Sequence, residues 1–202
     1  MIPFKVNIEP RTFHFKQPAG TSRGIYHIRR SWYVRLTAPA DPYALGLGEC
    51  APLPDLSCDA SEDYESRLLR LAADFEERQS IDYETLRALP SVLFGFETAL
   101  LSFRASLEGH YLKLFDTPFT RGEHGIPING LVWMGSHEEM LLRMEEKLNA
   151  GFKCIKLKIG AIDFEREMDL LQRLRQRFTP QQVQLRVDAN GAFAPDEAPE
   201  RL

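Results

Sequence analysis

The sequence has few cysteines and no long run of apolar residues. Only three cysteines occur among 202 residues, Cys50, Cys58 and Cys154. Their odd number and their spacing match neither a zinc site nor a framework of disulfides. No apolar run reaches the roughly 18 residues that a membrane-spanning helix needs, and the first residues lack the apolar core of a signal peptide. We therefore expect reduced thiols, no membrane partner and a cytoplasmic location.

An excess of positive charge is also missing. Lys and Arg number 25 against 29 Asp and Glu, which gives a formal net charge of −4. A basic surface for phosphate backbones is not expected, so nucleic acid is excluded as a partner. The chain does contain 44% hydrophobic and 27% charged residues, which is ordinary for a globular protein with one large core or two smaller ones.

The first half of the chain predicts strands followed by helices. From Phe4 to Leu47, apolar residues mostly alternate with polar ones and a loop interrupts them at residues 20–24, as in an antiparallel meander of three strands. After a Pro-rich segment the apolar residues recur at helical spacing, with the second helix expected over residues 91–107.

After Gly125 the signals for strands and helices alternate. Apolar runs at 126–133, 152–159 and 183–188 predict strands. Ser136 and Glu139 form a capping box for the helix that follows the first strand. The helix after the second strand is expected to place Phe164, Met168, Leu171 and Phe178 on one face, and another helix is expected to begin at Pro195. Alternation at this spacing is typical of parallel βα units.

Two of these strands carry ionic residues on one face. Side chains alternate along a strand, so Lys156 and Lys158 share a face, as Arg186 and Asp188 do in the next strand. The aliphatic residues between them must meet the helices, and a closed barrel then directs the charges into its lumen. There a cation beside a lysine lowers its pKa, and a carboxylate such as Asp188 can bind Mg²⁺.

The same spacing also fits a structural role. In this second interpretation the lysines reach solvent at a strand end, and Asp188 caps a turn with Asn190 and Gly191. The spacing alone leaves both interpretations open.

Four segments together resemble the enolase superfamily, in its muconate-lactonizing branch. They are a Lys-x-Lys pair at 156–158, an Asp-x-Asn at 188–190, a Gly-Glu-Cys-Ala-Pro at 48–52 and a Phe-Glu-Thr-Ala-Leu at 96–100. Within the superfamily, segments 48–54 and 126–131 are most similar to the o-succinylbenzoate synthases of menaquinone biosynthesis.

The resemblance implies an α+β capping domain over residues 1–124, followed over residues 125–202 by the first three βα units of a TIM-type (β/α) barrel. An eight-stranded barrel takes about 250 residues, so the barrel would be incomplete in this chain. We therefore expect a fragment, either a truncated or proteolysed protein or part of a longer one. On this expectation the 202 residues alone have no synthase activity and bind Mg²⁺ weakly.

The activity that the resemblance implies is that of a carbon–oxygen lyase. Such a synthase removes a proton next to a carboxylate, stabilises the enediolate on Mg²⁺, with Mn²⁺ as the alternative ion, and dehydrates 2-succinyl-6-hydroxy-2,4-cyclohexadiene-1-carboxylate. By matching positions, Lys158 would be the base, Lys156 would stabilise negative charge and Asp188 would be a metal ligand. The expected substrate contacts are Asn190, the loop residues Thr21, Ser22 and Arg23, Leu53, and Trp133.

Other functions stay open at this point. The same machinery serves N-acylamino acid racemases, dipeptide epimerases and muconate cycloisomerases, all of which act on small-molecule carboxylates. Alternatively, the chain is a non-catalytic domain that binds a partner through an open sheet edge. The sequence predicts no oligomeric state.

Overall fold

A computed structural model describes residues 2–21, 24–110, 113–160 and 162–201, and of Thr21 it describes the backbone alone. The chain divides into two compact units. The first comprises Met1–Lys16 and His27–Gly125, and the second comprises Gln17–Tyr26 and Ile126–Leu202. Within the described residues, no helix combines the length and the apolar character that crossing a membrane requires.

The predicted meander of three strands is confirmed. The elements are β1 (Lys5–Thr21), β2 (Gly24–Ala38), β3 (Asp41–Cys50), α1 (Tyr64–Arg78), α2 (Tyr83–Leu86) and α3 (Pro90–Leu107). The strands pair in the order β1-β2-β3, and β2 runs antiparallel to β3. Helix α3 begins one residue before the predicted start, at Pro90, whose fixed φ suits the first turn of a helix. The single-turn helix α2 was not predicted.

The core of the first unit lies between its sheet and its two long helices. Alternation along β2 buries Val34 and Leu36 completely. Phenylalanine rings fill the space against the helices, and Phe75 of α1 stacks on Phe96 of α3 with ring centroids 4.7 Å apart.

Strand β3 and helix α3 approach each other backbone to backbone. A Cβ atom on Gly48 would lie 1.9 Å from the carbonyl oxygen of Gly95, and one on Gly95 would lie 2.3 Å from the Cys50 sulfur. Both glycines are therefore required by the close contact. Burial at this contact raises the pKa of the Cys50 thiol to about 12, so this thiol is unreactive near neutral pH.

The predicted alternation of strands and helices in the second unit is also confirmed. Its elements are β4 (Gly130–Val132), α4 (His137–Asn149), β5 (Cys154–Lys158), α5 (Phe164–Arg177), β6 (Gln184–Asp188) and α6 (Ala198–Arg201). The strands pair in parallel in the order β4-β5-β6. The capping box at Ser136 and Glu139 is present. Strand β4 is shorter than its apolar run, and Ile126 and Ile128 before it are exposed.

Helices α4 and α5 cover one face of the parallel sheet. Ile155 and Leu157 of β5 are completely buried and belong to the same cluster as Met140 and Met144 of α4 and Leu170 and Leu174 of α5. The lysines of β5 alternate with these residues and so point to the other face. Sequential strand order with the helices on one face is typical of a (β/α) barrel, whereas a doubly wound sheet has helices on both faces.

The buried face of α5 differs from the predicted one. Its buried residues are Glu167, Leu170 and Leu174, and Phe178 lies just beyond the helix in extended conformation. Residues at i, i+3 and i+4 define several overlapping stripes on a helix, so spacing alone did not distinguish this stripe from its neighbour.

Candidate active site

The ionic side chains of β5 and β6 lie on one face, as strand alternation predicts. The register places Lys158 beside Asp188 and Lys156 beside Arg186. The side chain of Lys158 is 14% exposed and that of Lys156 is 32% exposed, and both contact Asp188. The lysines therefore do not simply reach solvent, whereas Asp188 does cap the turn with Asn190, as the second interpretation predicts.

Asp188 is shared by the two lysines. Its Oδ2 atom lies 2.8 Å from the Nζ of Lys156 and 2.7 Å from the Nζ of Lys158. Hydrogen bonds from Lys156 and then Lys158 hold the pKa of the Asp188 carboxyl well below its usual range. The carboxylate thus stays ionised and keeps the two ammonium groups close together on one side of the sheet.

Asn190 is a second hydrogen-bond partner of Lys158. Its Oδ1 accepts a hydrogen bond from the Lys158 Nζ at 2.6 Å, and its backbone N–H donates to the Asp188 Oδ1 at 3.1 Å. The chain turns back here because Asn190 and Gly191 both have a positive φ, 50° and 73°, which these two residue types tolerate best. The turn at the end of β6 therefore delivers an amide oxygen to the lysine of β5.

Trp133 lies next to the same lysine. The Nζ of Lys158 is 5.8 Å from the centre of the indole ring, within the range of a cation–π contact. The indole Nε1 donates a hydrogen bond to the carbonyl oxygen of Gly20 at 2.6 Å. Trp133 thus connects the end of β1 with the lysine pair inside the second unit.

The structure describes the other residues that were predicted to contact substrate only in part. Thr21 ends β1, but its side chain is not described, and Ser22 and Arg23 lie outside the described residues. Leu53 belongs to the first unit, where its N–H donates to the Ser57 hydroxyl at 2.9 Å in the turn after β3. Their contact with substrate stays a prediction.

An open cavity of about 650 Å³ lies over the ionic face, and its lining includes Asn129, Lys156, Arg186, Asp188 and Asn190. Asn129 and Arg186 were not among the predicted site residues. The signal for Arg186 was present, because it alternates with Asp188 along β6. Asn129 comes directly before β4, a position that strand periodicity does not mark.

The side-chain oxygen atoms near the lysines are of the type that a hard cation binds, but there are too few of them to hold it. Asp188 and Asn190 offer oxygen atoms, the ligands that Mg²⁺ takes in sixfold geometry. Both residues already accept hydrogen bonds from Lys158. Across the described part of the chain, no group of three or more His, Cys, Asp or Glu is placed to hold a metal. These residues alone therefore do not fit Mg²⁺, and Asp188 could be one ligand among several.

Two family profiles match the sequence. The family described as "MenC, N-terminal domain" matches residues 24–103, and the one described as "Enolase C-terminal domain-like" matches residues 139–202. Among curated relatives, the o-succinylbenzoate synthase of Desulfotalea psychrophila is 39% identical, over 93% of this chain and 58% of the relative. The L-Ala-D/L-Glu epimerase of Bacillus subtilis is 27% identical, over 90% of this chain and 50% of the relative. The chain thus spans between 50% and 58% of the length of these relatives.

Solved structures agree with these matches. MenC from Desulfotalea psychrophila superimposes with a TM-score of 0.71 at 33% identity, over 98% of this chain and 60% of that one. The o-succinylbenzoate synthase of Thermosynechococcus elongatus, complexed with Mg in its active site, gives a TM-score of 0.70 at 25% identity, over 98% of this chain and 55% of that one.

The fold, the pair of lysines and the similarity to known proteins together define the class of protein: the chain belongs to the enolase superfamily. Within the superfamily it is an o-succinylbenzoate synthase-like protein.

Proposed function

We propose that the protein is an o-succinylbenzoate synthase, a carbon–oxygen lyase of menaquinone biosynthesis that dehydrates 2-succinyl-6-hydroxy-2,4-cyclohexadiene-1-carboxylate. The observation that carries the proposal is the pair of lysines that share Asp188 at the carboxyl ends of two adjacent parallel strands. Active sites of (β/α) barrels form at that end of the strands. The 39% identity to a synthase supports the choice of reaction.

In the proposed reaction Lys158 transfers one proton from a carbon of the substrate to the departing hydroxide. The ammonium group of Lys158 first releases a proton to solvent. As the neutral amine, Lys158 then removes the proton from the carbon next to the substrate carboxylate, and the electron pair of that C–H bond moves toward the carboxylate. Lys156, as the ammonium, stabilises the negative charge that develops there. The proton on Lys158 then leaves with the departing hydroxide as water, and the ring becomes aromatic. Asp188 and Asn190 orient Lys158 through the hydrogen bonds described above.

The remaining proposals follow from the resemblance. Mg²⁺, or Mn²⁺ in its place, would supply positive charge beside the substrate carboxylate, with Asp188 as one ligand. Residues 1–124 would form the capping domain, and residues 125–202 would begin the barrel. The proposed substrate contacts are Asn190, Trp133, Thr21, Ser22, Arg23 and Leu53. A cytoplasmic location stays a prediction.

A second candidate is a racemase or epimerase that uses the same lysines. The specific observation in its favour is the match to the L-Ala-D/L-Glu epimerase, which covers 90% of this chain. Such an enzyme would return a proton to the same carbon instead of expelling hydroxide. The two candidates share the base and differ in their product.

The product assay therefore tests the proposal. Full-length protein is mixed with Mg²⁺ and the cyclohexadiene carboxylate, with L-Ala-L-Glu or with an N-succinyl amino acid. We expect the aromatic product from the first substrate and a kcat/KM for it well above the values for the other two. Epimerised dipeptide or racemised amino acid without dehydration would contradict the lyase proposal.

A lysine variant tests the assigned base. We expect Lys158→Met to lower kcat by about 1000-fold or more, because the loss of a positioned base typically costs 100- to 10,000-fold. Lys153→Met is the matched control, since Lys153 is exposed and comes just before β5. The assignment fails if both variants keep the kcat of the unmodified protein.

A further inference from the structure

The second unit contains a buried carboxylate that the proposed reaction does not use. Glu167 lies in α5 and is 2% exposed. A buried carboxylate is costly unless its oxygens accept hydrogen bonds. The partners of Glu167 therefore indicate its role.

The carboxylate of Glu167 accepts hydrogen bonds from the backbone that follows β5. Its Oε1 lies 2.7 Å from the N of Gly160 and 3.4 Å from the N of Ile162. The first turn of α5 has its own cap, since Asp163 accepts from the N–H groups of Glu165 and Arg166. The side chain of Glu167 thus reaches back past the helix start to the turn that begins two residues after Lys158.

That turn lies directly against the turn of Asn190. Gly160 has a φ of +85°, and a Cβ atom on it would lie 2.2 Å from the Cβ of Ala192, two residues after Asn190. One residue earlier, the N–H of Ile159 donates to the carbonyl oxygen of Asp188 at 3.0 Å. The end of β5, the end of β6 and their two turns therefore form one packed layer, and Glu167 holds the β5 side of it.

We infer that Glu167 is a positioning residue for Lys158. Its carboxylate fixes the turn at Gly160 and Ile162, and this turn keeps the end of β5 against the end of β6, with the Lys158 Nζ between Asp188 and Asn190. The catalytic part of this inference rests on the proposed function, in which Lys158 is the base. The structural part stands on the backbone contacts alone.

The test uses variants of Glu167 in the full-length protein. Glu167→Met keeps the bulk of the side chain and removes both acceptors, whereas Glu167→Gln keeps an oxygen at the Oε1 position. Glu165→Met and Glu165→Gln are the controls, because Glu165 is exposed in the same turn of α5. If Glu167→Met does not fold, Glu167→Asp replaces it, since the shorter side chain withdraws the acceptor from Gly160.

Three readouts are compared between the variants. In Glu167→Met we expect amide hydrogen exchange at Gly160 and Ile162 to become about 10-fold faster and labelling of Lys158 by trinitrobenzenesulfonate to accelerate, because the turn and the lysine are released. We expect kcat to fall by about 100-fold while KM changes by less than about twofold, since a misplaced catalytic group costs rate more than binding. In Glu167→Gln we expect all three readouts to stay close to those of the unmodified protein.

Two results would overturn the inference. One is unchanged exchange at Gly160 in a folded Glu167→Met variant. The other concerns a Glu167→Met variant in which exchange at Gly160 is faster, but in which the labelling rate of Lys158 and the kcat equal those of the Glu165→Met control. The turn would then be loosened without any effect on the lysine.

Failure of the proposed function is recognised separately. If the unmodified protein does not dehydrate the cyclohexadiene carboxylate, that function is wrong. Exchange and labelling need no substrate and still decide whether Glu167 positions Lys158.

Discussion

At the scale of single residues, Asp188 determines the charge arrangement of the site. One carboxylate oxygen accepts hydrogen bonds from two ammonium groups, and the side chain is 25% exposed. Fully exposed ion pairs contribute little to stability, but partly buried ones with good geometry contribute more. The lowered pKa of Asp188 shows that the folded protein favours its ionised form.

This pKa shift predicts how stability depends on pH. The pKa of Asp188 is lower in the folded protein than its unfolded value of about 4, so its contribution is complete above that pH and is lost as the pH falls toward the folded pKa. The asparagine side chain in the Asp188→Asn variant does not titrate. We therefore expect the free energy of unfolding of this variant to fall less steeply below about pH 4 than that of the unmodified protein. Urea unfolding between pH 2 and 7, in buffer with EDTA, measures this slope.

The exposed Asp196 in the same unit provides the control. Asp196→Asn should leave the acid slope of the parent protein almost unchanged. An Asp188→Asn slope equal to that of the parent would show that the lysine contacts do not favour the charged carboxylate.

At the scale of elements, the contact between β3 and α3 leaves no room for a side chain at Gly48 or Gly95. Gly48 and Gly95 let the two backbones touch, and the neighbouring core contains the buried Trp32. Added atoms in such a contact force the backbone or the core to shift, which typically costs 1 to 3 kcal/mol.

We therefore expect Gly48→Ala to lower the free energy of unfolding by about 3 kcal/mol, because the new methyl group would meet the Gly95 carbonyl and not a flexible side chain. Urea unfolding followed by tryptophan fluorescence, to which Trp32 of this core contributes, measures the change. Gly125→Ala is the control, since its methyl group would meet nothing within 4 Å. Equal stability of the two variants would refute the contact.

The elements also differ in how well sequence signals predict them. Helix α4 begins at its capping box and ends before Gly151, because both signals act within a few residues of the helix ends. Strand β4 was predicted too long because apolar composition also favours extended backbone outside a sheet. The observed bounds of β4 depend on which of its residues pair with β5, and this pairing is determined by another part of the chain.

At the scale of the whole molecule, two hydrophobic clusters form two separate cores. One contains the phenylalanines of the first unit and the other contains the aliphatic face of β5 with α4 and α5. The catalytic groups proposed here, Lys156 and Lys158, belong to the second unit. Its described residues supply a single carboxylate, Asp188, beside these lysines.

This donor set leads to a prediction for the 202-residue polypeptide. We expect it to bind Mg²⁺ with a dissociation constant on the order of 1 mM or weaker, because the ion must displace two ammonium groups from one carboxylate. We also expect no turnover of the cyclohexadiene carboxylate. Isothermal titration calorimetry and a product assay on protein of verified mass test both statements. Turnover by a protein whose intact mass matches 23.1 kDa would disprove the second.

The sequence by itself determined the features that depend on neighbours along the chain. Alternation placed Lys156 and Lys158 on one face, and the repeated exchange of strand and helix periods after Gly125 marked the second half of the chain. These predictions succeed because the period of a strand or helix is a local property of the backbone.

Only the tertiary structure decided which distant groups meet. The indole of Trp133 contacts Gly20, 113 residues earlier, and Lys158 at the end of β5 contacts Asn190 just after the neighbouring strand β6. Glu167 gave no signal in the sequence, because a glutamate in a helix is usually solvated and becomes buried only when packing brings backbone donors to it. Such contacts depend on the packing of whole elements, and local periodicity carries no information about distances between them.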